Sequence, residues 1–495
     1  MHKYHFDIDP VTRIEGHLGV EVFVDGGVVR DARCSGTLSR GFEIILKGRD
    51  PRDANRLTQR VCGVCPAIHS KSSAMCLDDA FGLTGTLTPN GRIIRNLILG
   101  SNFLQSHILH FYHLAALDYV DVSGSVGKIH PFMPRYEGDY RLPDGVNKVA
   151  VNHYVMALDM RRKSHEMLAI FGGKMPHNIG IVPGGVTEVA TEEKITNFLW
   201  RLNEIREFID NYYLPDVLTV AAAYQDYAKI GRGCGTLLAY GGFEGENDRL
   251  FSPGVVSADL QLNEFFARKI TEEVRHSWYS AQTTGLAPSA GETVPDTEKK
   301  EAYSFIKSPR YEGRVCEVGP LARMAIQYLR NDDKVKSLVD KVISGLGLGI
   351  GDLFSVIGRH AARAIECKIV ADAMTDWVME LAPGGPSLVP YDIPETAEGA
   401  GLTAAPRGAC GHWISVREKK IARYQIITPT AWNASPKDDK GVPGPMEQAL
   451  IGAPVKDKDN PFEVVRIIRS FDPCLACSVH MLTAKGSKIG EFRVV

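Results

Sequence analysis

Long apolar runs are missing from this sequence. The longest of them, such as residues 218–224 (LTVAAAY), fall far short of the about 20 residues that a membrane-spanning helix needs. The first ten residues (MHKYHFDIDP) contain no apolar segment of the kind found in a secretory signal peptide. We therefore expect a chain that by itself is neither inserted into a membrane nor exported.

A strong charge of either sign is also lacking. The sequence has 57 Lys and Arg against 59 Asp and Glu, which gives a formal net charge of −2. No basic field would draw such a chain to nucleic acid or to anionic lipid. Its 44% hydrophobic and 23% charged residues are typical of a globular protein, and they exclude the collagen-like, coiled-coil and disordered classes.

Common nucleotide-binding and hydrolase motifs are absent as well. Residues 345–351 (GLGLGIG) are rich in glycine, but their spacing differs from the dinucleotide-binding fingerprint. We interpret this segment as a turn at the end of a helix. The Gly-x-Ser-x-Gly elbow of hydrolases and the His-Glu-x-x-His motif of metalloproteases do not occur.

Cysteine is sparse, with 10 in 495 residues, and this excludes a small disulfide-stapled scaffold. The spacing is more informative, because two Cys-x-x-Cys pairs lie near opposite ends of the chain. The first pair falls within residues 60–69 (RVCGVCPAIH) and the second within residues 472–480 (DPCLACSVH). The four paired residues are Cys62, Cys65, Cys474 and Cys477.

Paired cysteines at this spacing can direct two sulfurs at one ion, because a tight turn brings both side chains to the same side. Four thiolates suit zinc, an Fe–S cluster, or nickel and iron. On spacing alone, a structural zinc site and a redox dithiol or disulfide remain open. Zinc ribbons place their pairs about 15–20 residues apart, whereas these pairs are about 400 residues apart. The neighbouring Arg, Asp and His favour a reactive metal, since such groups tune one.

The periodicity predicts an α+β fold, with a large helical-bundle body and small β segments near the N- and C-terminal regions. Residues 18–24 and 28–29 read as an antiparallel hairpin, and residues 90–122 as a long, buried helix. Residues 386–470 are predicted to be short strands and turns, including a strand at 421–427. Further helices are predicted over 147–171, 190–213, 258–278, 332–345 and 352–382.

The two cysteine motifs resemble the signature motifs of the nickel–iron hydrogenase large subunit. The similarity extends from residue 9 to residue 480, and it is greatest to the respiratory uptake group, in the branch of the nickel–iron–selenium enzymes. That branch has selenocysteine where this sequence has Cys474. The other segments that resemble the family are 9–17 (DPVTRIEGH), 40–43 (RGFE), 48–53 (GRDPRD), 107–118 (HILHFYHLAALD), 172–177 (GGKMPH), 317–323 (EVGPLAR), 405–408 (APRG) and 432–433 (WN).

The resemblance implies a nickel–iron centre held by the four paired cysteines. Cys62 and Cys474 would be terminal nickel ligands, and Cys65 and Cys477 would bridge to an iron that carries one CO and two cyanides. The implied reaction is the reversible, heterolytic cleavage of H2. Cys474 would be the first proton acceptor.

The resemblance also assigns roles to residues around this centre. Glu15 would take the next proton, although without the resemblance it would read as a surface or helix-capping carboxylate. Arg407 would lie over the open metal positions and contact a cyanide. Asp118 and Asp472 would hold the Arg407 guanidinium.

Three further residues are expected to line the centre. Pro406 would line the pocket of the diatomic ligands, and Thr430 would donate a hydrogen bond to a cyanide. His69 would hydrogen-bond a cysteine sulfur, that of Cys477, although a single histidine near a helix is more often an ordinary core residue.

A second, hard cation is implied as well, Mg²⁺ or Fe²⁺. Glu43, the backbone carbonyl of Ile426 and a ring nitrogen of His480 would bind it. A carboxylate, a carbonyl and waters suit Mg²⁺, and a histidine also admits Fe²⁺. Without the resemblance, Glu43 would read as a solvated charge at the end of a strand.

The resemblance implies one large-subunit domain over residues 1–480, followed by an extension, residues 481–495, that a maturation endopeptidase removes after His480. Electrons would pass to a small subunit with Fe–S clusters and then to a cytochrome-type acceptor. The small subunit would carry the export signal, which would make the complex periplasmic, with membrane association through its partners. The alternative is a regulatory H2 sensor with the same metals, which should lack the extension.

Overall fold

The structure, a computed structural model, describes residues 3–123, 138–246 and 248–475. The helices are α1 Phe42–Leu46, α2 Pro51–Leu57, α3 Pro66–Ala80, α4 Pro89–Leu109, α5 Asp144–Gly172, α6 Glu192–Phe208, α7 Leu214–Ala223, α8 Pro320–Leu329, α9 Asp333–Leu346, α10 Val356–Met379, α11 Pro429–Asn433, α12 Pro445–Leu450 and α13 Phe462–Ser470. The strands are β1 Tyr4–Ile8, β2 Leu18–Asp25, β3 Val28–Gly36, β4 Ile181–Val182, β5 Gly185–Val186, β6 Leu237–Ala239, β7 Gly242–Glu244, β8 Arg249–Phe251, β9 Gly254–Val256, β10 Leu262–Asn263, β11 Ile270–Glu273, β12 Ser308–Tyr311, β13 Thr396–Ala405, β14 Gly408–Arg417 and β15 Lys420–Ile427.

Four long helices form the body of the fold. Helix α4 packs against α5 and α10, and α6 packs against the same two helices, so the four close into a bundle. Helix α4 begins after Thr88, whose hydroxyl accepts a hydrogen bond from the backbone N–H of Gly91 at 3.1 Å, with Pro89 at the first helical position. It is buried along almost its whole length, as expected for a helix at the centre of a large core.

Most of the predicted elements are confirmed. Helix α4 occupies most of the range 90–122 and continues as a π-helical segment over His110–Ala115. The glycine-rich segment does end a helix, since Gly347 terminates α9 in the left-handed conformation with φ of 63°. The other confirmed helices are α5, α6, α9 and α10, for the predicted ranges 147–171, 190–213, 332–345 and 352–382.

The helix predicted over 258–278 is wrong. This stretch contains β10 and β11, and β11 pairs with β12. In β11 the buried residues Ile270 and Glu272 alternate with partly exposed neighbours, which is the period of a strand. The apolar residues of the stretch satisfied a helical spacing by chance, and the local pattern was too short to reject it.

The region 386–470 contains the predicted strands, and β15 covers the range 421–427. It also contains three helices that were not predicted, α11, α12 and α13, with 5, 6 and 9 residues. Helices this short complete too few turns to display a clear 3.6-residue period.

Two three-stranded antiparallel sheets position the site. The strands β1, β2 and β3 form the N-terminal sheet, and β13, β14 and β15 form the C-terminal sheet, over which α3 lies. The two ends of the chain also pair directly, because Glu15 and Cys474 form a parallel bridge. The backbone N–H of Leu475 donates to the carbonyl of Glu15 at 2.8 Å.

Within the described ranges, no helix has both the length and the apolar character needed to cross a membrane.

Candidate metal centre

Three of the four paired cysteines place their sulfurs in one buried cluster. The Sγ atoms of Cys62 and Cys474 are 3.3 Å apart, and those of Cys62, Cys65 and Cys474 all lie within 4.8 Å of one another. The 3.3 Å separation is well beyond the about 2.05 Å of a disulfide bond. This separation argues against a disulfide between Cys62 and Cys474, one of the alternatives that spacing alone left open. Cys477 lies outside the described residues.

The local chain geometry brings Cys62 and Cys65 to the same side. Cys62 follows a 3-10 turn, Thr58–Val61, and Cys65 caps α3, whose first position is Pro66. The backbone N–H groups of Val64 and Cys65 both donate to Cys62 Sγ at 3.3 Å. Hydrogen bonds donated to a sulfur favour its thiolate form, which is the form that binds metals.

Cys474 reaches the cluster from the far end of the chain. Its backbone N–H donates to the hydroxyl of Thr430 at 2.9 Å. Its thiol donates to Oε2 of Glu15, with 3.1 Å between Sγ and Oε2. The structure thus places a partly exposed carboxylate directly against a sulfur of the cluster.

Arg407 lies in the turn between β13 and β14, directly after Pro406. Its Nη2 donates to Oδ1 of Asp472 at 2.9 Å, its Nε donates to the carbonyl of Asp472 at 3.1 Å, and its Nη1 donates to Ser106 Oγ at 3.2 Å. Burial would lower the pKa of Arg407, but the Asp472 carboxylate and the nearby cysteines raise it well above its ordinary value. A fixed positive charge therefore lies beside the sulfur cluster.

Asp118 does not hold Arg407, and that part of the prediction is wrong. In the part of the chain that the structure describes, the Asp118 carboxylate pairs with Arg13 and with Arg469, the latter at 2.6 Å, and no ion pair joins it to Arg407. Burial would raise the pKa of Asp118, but these two guanidinium groups lower it. Asp118 therefore balances the charges of two arginines that the sequence had not singled out.

A buried ion pair behind the Arg407 turn was also missed. Arg323 Nη2 donates to Glu366 Oε2 at 2.8 Å and to the Pro406 carbonyl at 3.3 Å, and His107 Nε2 lies 2.8 Å from the same Glu366 oxygen. The three side chains are almost fully buried. Breaking a buried pair costs about 3–5 kcal/mol, so this group anchors the Pro406 backbone. A carboxylate in the middle of a largely apolar helix is the signal that could have revealed Glu366.

His69 contacts another histidine near the cluster. Its Nδ1 lies 3.1 Å from His412 Nε2. One possible metal-ligand atom from each of His69, Cys410 and His412 lies within 4.8 Å of the other two. All three residues are buried. The contact predicted between His69 and Cys477 lies outside the described residues.

Glu43 occupies a buried position on α1, next to β15. Burial raises the pKa of its carboxyl group, while the Lys307 ammonium group and the backbone of Ile426 act in the opposite direction. Among the described residues, Oε2 of Glu43 has no hydrogen-bond partner, and a carboxylate oxygen in this condition suits a cation ligand. Glu272 lies in the same region, with its Oε2 3.7 Å from Nζ of Lys307. His480 lies outside the described residues.

Comparisons with known proteins agree along nearly the whole chain. A model of the nickel-dependent hydrogenase family matches residues 40–126 and 124–480, and a model described as HoxL-like matches residues 5–35. The periplasmic [NiFeSe] hydrogenase large subunit of Desulfomicrobium baculatum is 45% identical, over 100% of this chain and 97% of that protein. The uptake hydrogenase large subunit of Bradyrhizobium diazoefficiens is 36% identical, over 98% of this chain and 97% of that protein.

Solved structures agree as well. The reduced Ni-Fe-Se hydrogenase from D. vulgaris Hildenborough superposes with a TM-score of 0.92 at 46% identity, covering 97% of this chain and 100% of that chain. This similarity confirms the α+β fold, and the relatives named above do not favour the alternative of a regulatory H2 sensor. The chain belongs to the nickel-dependent hydrogenase family, as a large subunit.

Proposed function

We propose that this chain carries the active site of a nickel–iron hydrogenase, at which H2 is converted reversibly into two protons and two electrons. The observation that carries the proposal is the buried cluster of three sulfurs, with the Glu15 carboxylate hydrogen-bonded to Cys474. Heterolytic cleavage of H2 needs a proton acceptor beside a site that keeps the electron pair. The cluster offers a sulfur and a carboxylate for the proton.

The four paired cysteines are the ligands of the centre in this proposal. Cys62, Cys65, Cys474 and Cys477 would hold a nickel–iron centre, with Cys62 and Cys474 on nickel and Cys65 and Cys477 shared with an iron that would carry one CO and two cyanides. Soft thiolates suit nickel and iron, and the three described sulfurs are buried and close enough to share one centre. When bound, the centre supplies the position where H2 is polarised and where its two electrons are collected.

Cys474 and Glu15 carry the proton away. The Cys474 thiolate would be the first acceptor of the proton released from H2. The proton then passes over 3.1 Å from Sγ to Oε2 of Glu15, a distance that needs no rearrangement of the chain. Glu15 is partly exposed, so it can release the proton onwards.

The residues above the cluster orient the diatomic ligands. Arg407, fixed by Asp472, would contact a cyanide and lie over the open metal positions of a bound centre. The Thr430 hydroxyl accepts the Cys474 backbone hydrogen bond, and its own hydrogen would be available to a cyanide. Pro406 lines the pocket, and Asp118 acts from further away by holding Arg469 and Arg13.

Replacing Arg407 by lysine is expected to reduce turnover by about 100-fold, because a small misplacement of a positioning group costs about that much. Lysine retains the charge but cannot make the planar, several-pronged grip on Asp472 and Ser106. The measurement is H2-dependent reduction of a dye, at equal nickel content. The matched control is Arg206→Lys, at a partly exposed pair with Asp372, which should behave as wild type. Equal rates for the two variants would remove Arg407 from the reaction.

A second cation, Mg²⁺ or Fe²⁺, is bound by Glu43, the Ile426 carbonyl and His480 in this proposal. The support is the buried Glu43 oxygen without a hydrogen-bond partner among the described residues. Oxygen ligands with one imidazole fit either ion.

The partners follow from the reaction and from the relatives. In the part of the chain that the structure describes, no further cluster of cysteines could hold an electron relay, so a small subunit with Fe–S clusters takes the electrons and passes them to a cytochrome-type acceptor. One relative is named a periplasmic large subunit, which supports a periplasmic location by co-export with that partner and membrane association through it. The family match ends at residue 480, which supports a domain over 1–480 and removal of 481–495 by a maturation endopeptidase.

Elemental analysis and infrared spectroscopy of the purified two-subunit complex test the proposed function. We expect one nickel per large subunit, together with one CO and two cyanide stretching bands. A preparation that oxidises no H2 and contains a single zinc ion in place of nickel and iron would refute the proposal and restore the zinc alternative.

A further inference from the structure

We infer that His412 and Tyr424 are positioning residues that fix the ring of His69 beside the sulfur cluster. The inference rests on the proposed function, because it concerns the hydrogen bond that the chain offers to metal-bound sulfurs. It adds two residues of the C-terminal sheet to the site, neither of which ligates a metal in the proposal above.

His69 is held on the cysteine side of α3. It follows Cys65 by four residues at the start of this helix, so the two side chains share a face. The His69 ring is fully buried, and its Nδ1 is occupied by His412 Nε2 at 3.1 Å. Because Nδ1 faces His412, a hydrogen bond from this ring to a sulfur would come from Nε2.

The contact between His69 and His412 begins a buried series of hydrogen bonds that returns to α3. His412 Nδ1 lies 2.8 Å from the hydroxyl of Tyr424, and that hydroxyl lies 3.0 Å from Ser73 Oγ, on the same helix as His69. His412 pairs with Ile426 across β14 and β15, so Tyr424, two residues along β15, shares its face of the sheet. The side chains of His69, His412, Tyr424 and Ser73 are each at most 2% exposed.

Two glycines in β13 allow α3 to lie close enough to the C-terminal sheet for these hydrogen bonds to form. A Cβ atom at Gly401 would lie 2.0 Å from the Ser72 carbonyl oxygen, and one at Gly399 would lie 2.3 Å from the Cys76 carbonyl oxygen. Any larger residue at either position would separate α3 from β13. The close approach therefore sets the distance between Ser73 and Tyr424.

This series of hydrogen bonds couples the tautomers of His69 and His412. One hydrogen serves the contact between them, so both rings are protonated at Nε2 or both at Nδ1. In the first arrangement Tyr424 donates to His412 Nδ1, His412 donates to His69 Nδ1, and His69 is left to donate from Nε2. Thiolates only accept hydrogen bonds, so a metal-bound cluster selects this arrangement.

Two variants of His412 test the positioning role in the purified complex. Glutamine can place an amide N–H near the position of Nε2, so His412→Gln should retain the CO and cyanide bands of the wild type. Leucine cannot donate, so His412→Leu should shift these bands and lower turnover by about 10-fold to about 100-fold, the effect typical of losing an outer hydrogen-bond partner of a metal site. The control is Tyr112→Phe. This change removes a buried phenol hydroxyl that donates to Asp216 at 2.6 Å and takes no part in the hydrogen bonds of His69, His412 and Tyr424.

Nitrogen NMR of the histidine-labelled full chain, prepared without nickel, tests the coupling independently of the metals. His69 and His412 should show the same tautomer. In Tyr424→Phe both should be protonated at Nε2, because a buried Nδ1–H of His412 would have lost its acceptor. Spectra of His69→Gln and His412→Gln assign the two signals.

Opposite tautomers in the wild type, or identical bands and rates in His412→Leu and His412→Gln, would overturn the inference. If the wild-type complex shows no CO and cyanide bands, the proposed function fails, and with it the positioning role. The tautomers measured without nickel would then still decide whether the hydrogen-bond chain exists.

Discussion

Replacing Cys474 by serine is expected to leave a folded chain that contains no nickel and oxidises no H2. Cys474 contributes a sulfur that lies 3.3 Å from that of Cys62, and it is the proposed proton acceptor. A serine hydroxyl is a hard ligand that stays protonated near neutral pH, so it neither binds nickel nor takes the proton. The measurements are nickel content, the CO and cyanide bands, and H2-dependent dye reduction.

The matched control is Cys367→Ser, because Cys367 is fully buried in α10 and is not part of the sulfur cluster. This change should cost about 1 kcal/mol of stability, as is common for a single substitution, and it should leave nickel and turnover intact. Normal nickel and turnover in Cys474→Ser would contradict the ligand assignment. Loss of nickel in both variants would show that the effect is not specific to the cluster.

Replacing Glu15 by glutamine is expected to stop proton exchange while the metal centre stays intact. The amide has nearly the same shape as the carboxylate, but it cannot take a proton from Cys474 Sγ, 3.1 Å away, and release it. General acid–base groups contribute about 10²-fold to 10⁴-fold to a rate, and we expect a loss of that size. Mass spectrometry of H2 and D2O exchange measures it, and infrared spectroscopy checks the centre.

The matched control for this prediction is Glu21→Gln, which alters a carboxylate on β2, the strand that follows Glu15. Glu21 pairs with Arg33 at 3.3 Å near the surface and does not contact the sulfur cluster. Its exchange rate should equal that of the wild type. Unaltered exchange in Glu15→Gln would take Glu15 out of the proton path, even if the nickel–iron centre is present.

The parts of the fold that were predictable are those with a long, regular pattern. Helix α4 has 21 residues, enough turns for its period to be unmistakable. The stretch 258–278 and helix α13, with 9 residues, were mistaken or missed because short elements take their structure from their neighbours. In β11, for example, Glu272 is buried through pairing with β12, which no local pattern reveals.

The site divides in the same way. Spacing alone placed Cys62 and Cys65 on one side of the chain, because a tight turn between them brings both side chains to the same side. Spacing did not reveal the partners of Asp118, which are Arg13 and Arg469 in place of Arg407. Which guanidinium a buried carboxylate meets depends on how several helices and loops pack, and many arginines compete for it.

By itself the sequence determined which chemistry was available: two pairs of thiolates, their flanking arginine, aspartate and histidine residues, and a family pattern from residue 9 to residue 480. Only the tertiary structure decided that Glu15 and Cys474, 459 positions apart, share a bridge and a hydrogen bond. The reason is that local spacing controls geometry over a few residues. Contacts across hundreds of residues arise when the sheets and the helical bundle close around a common core.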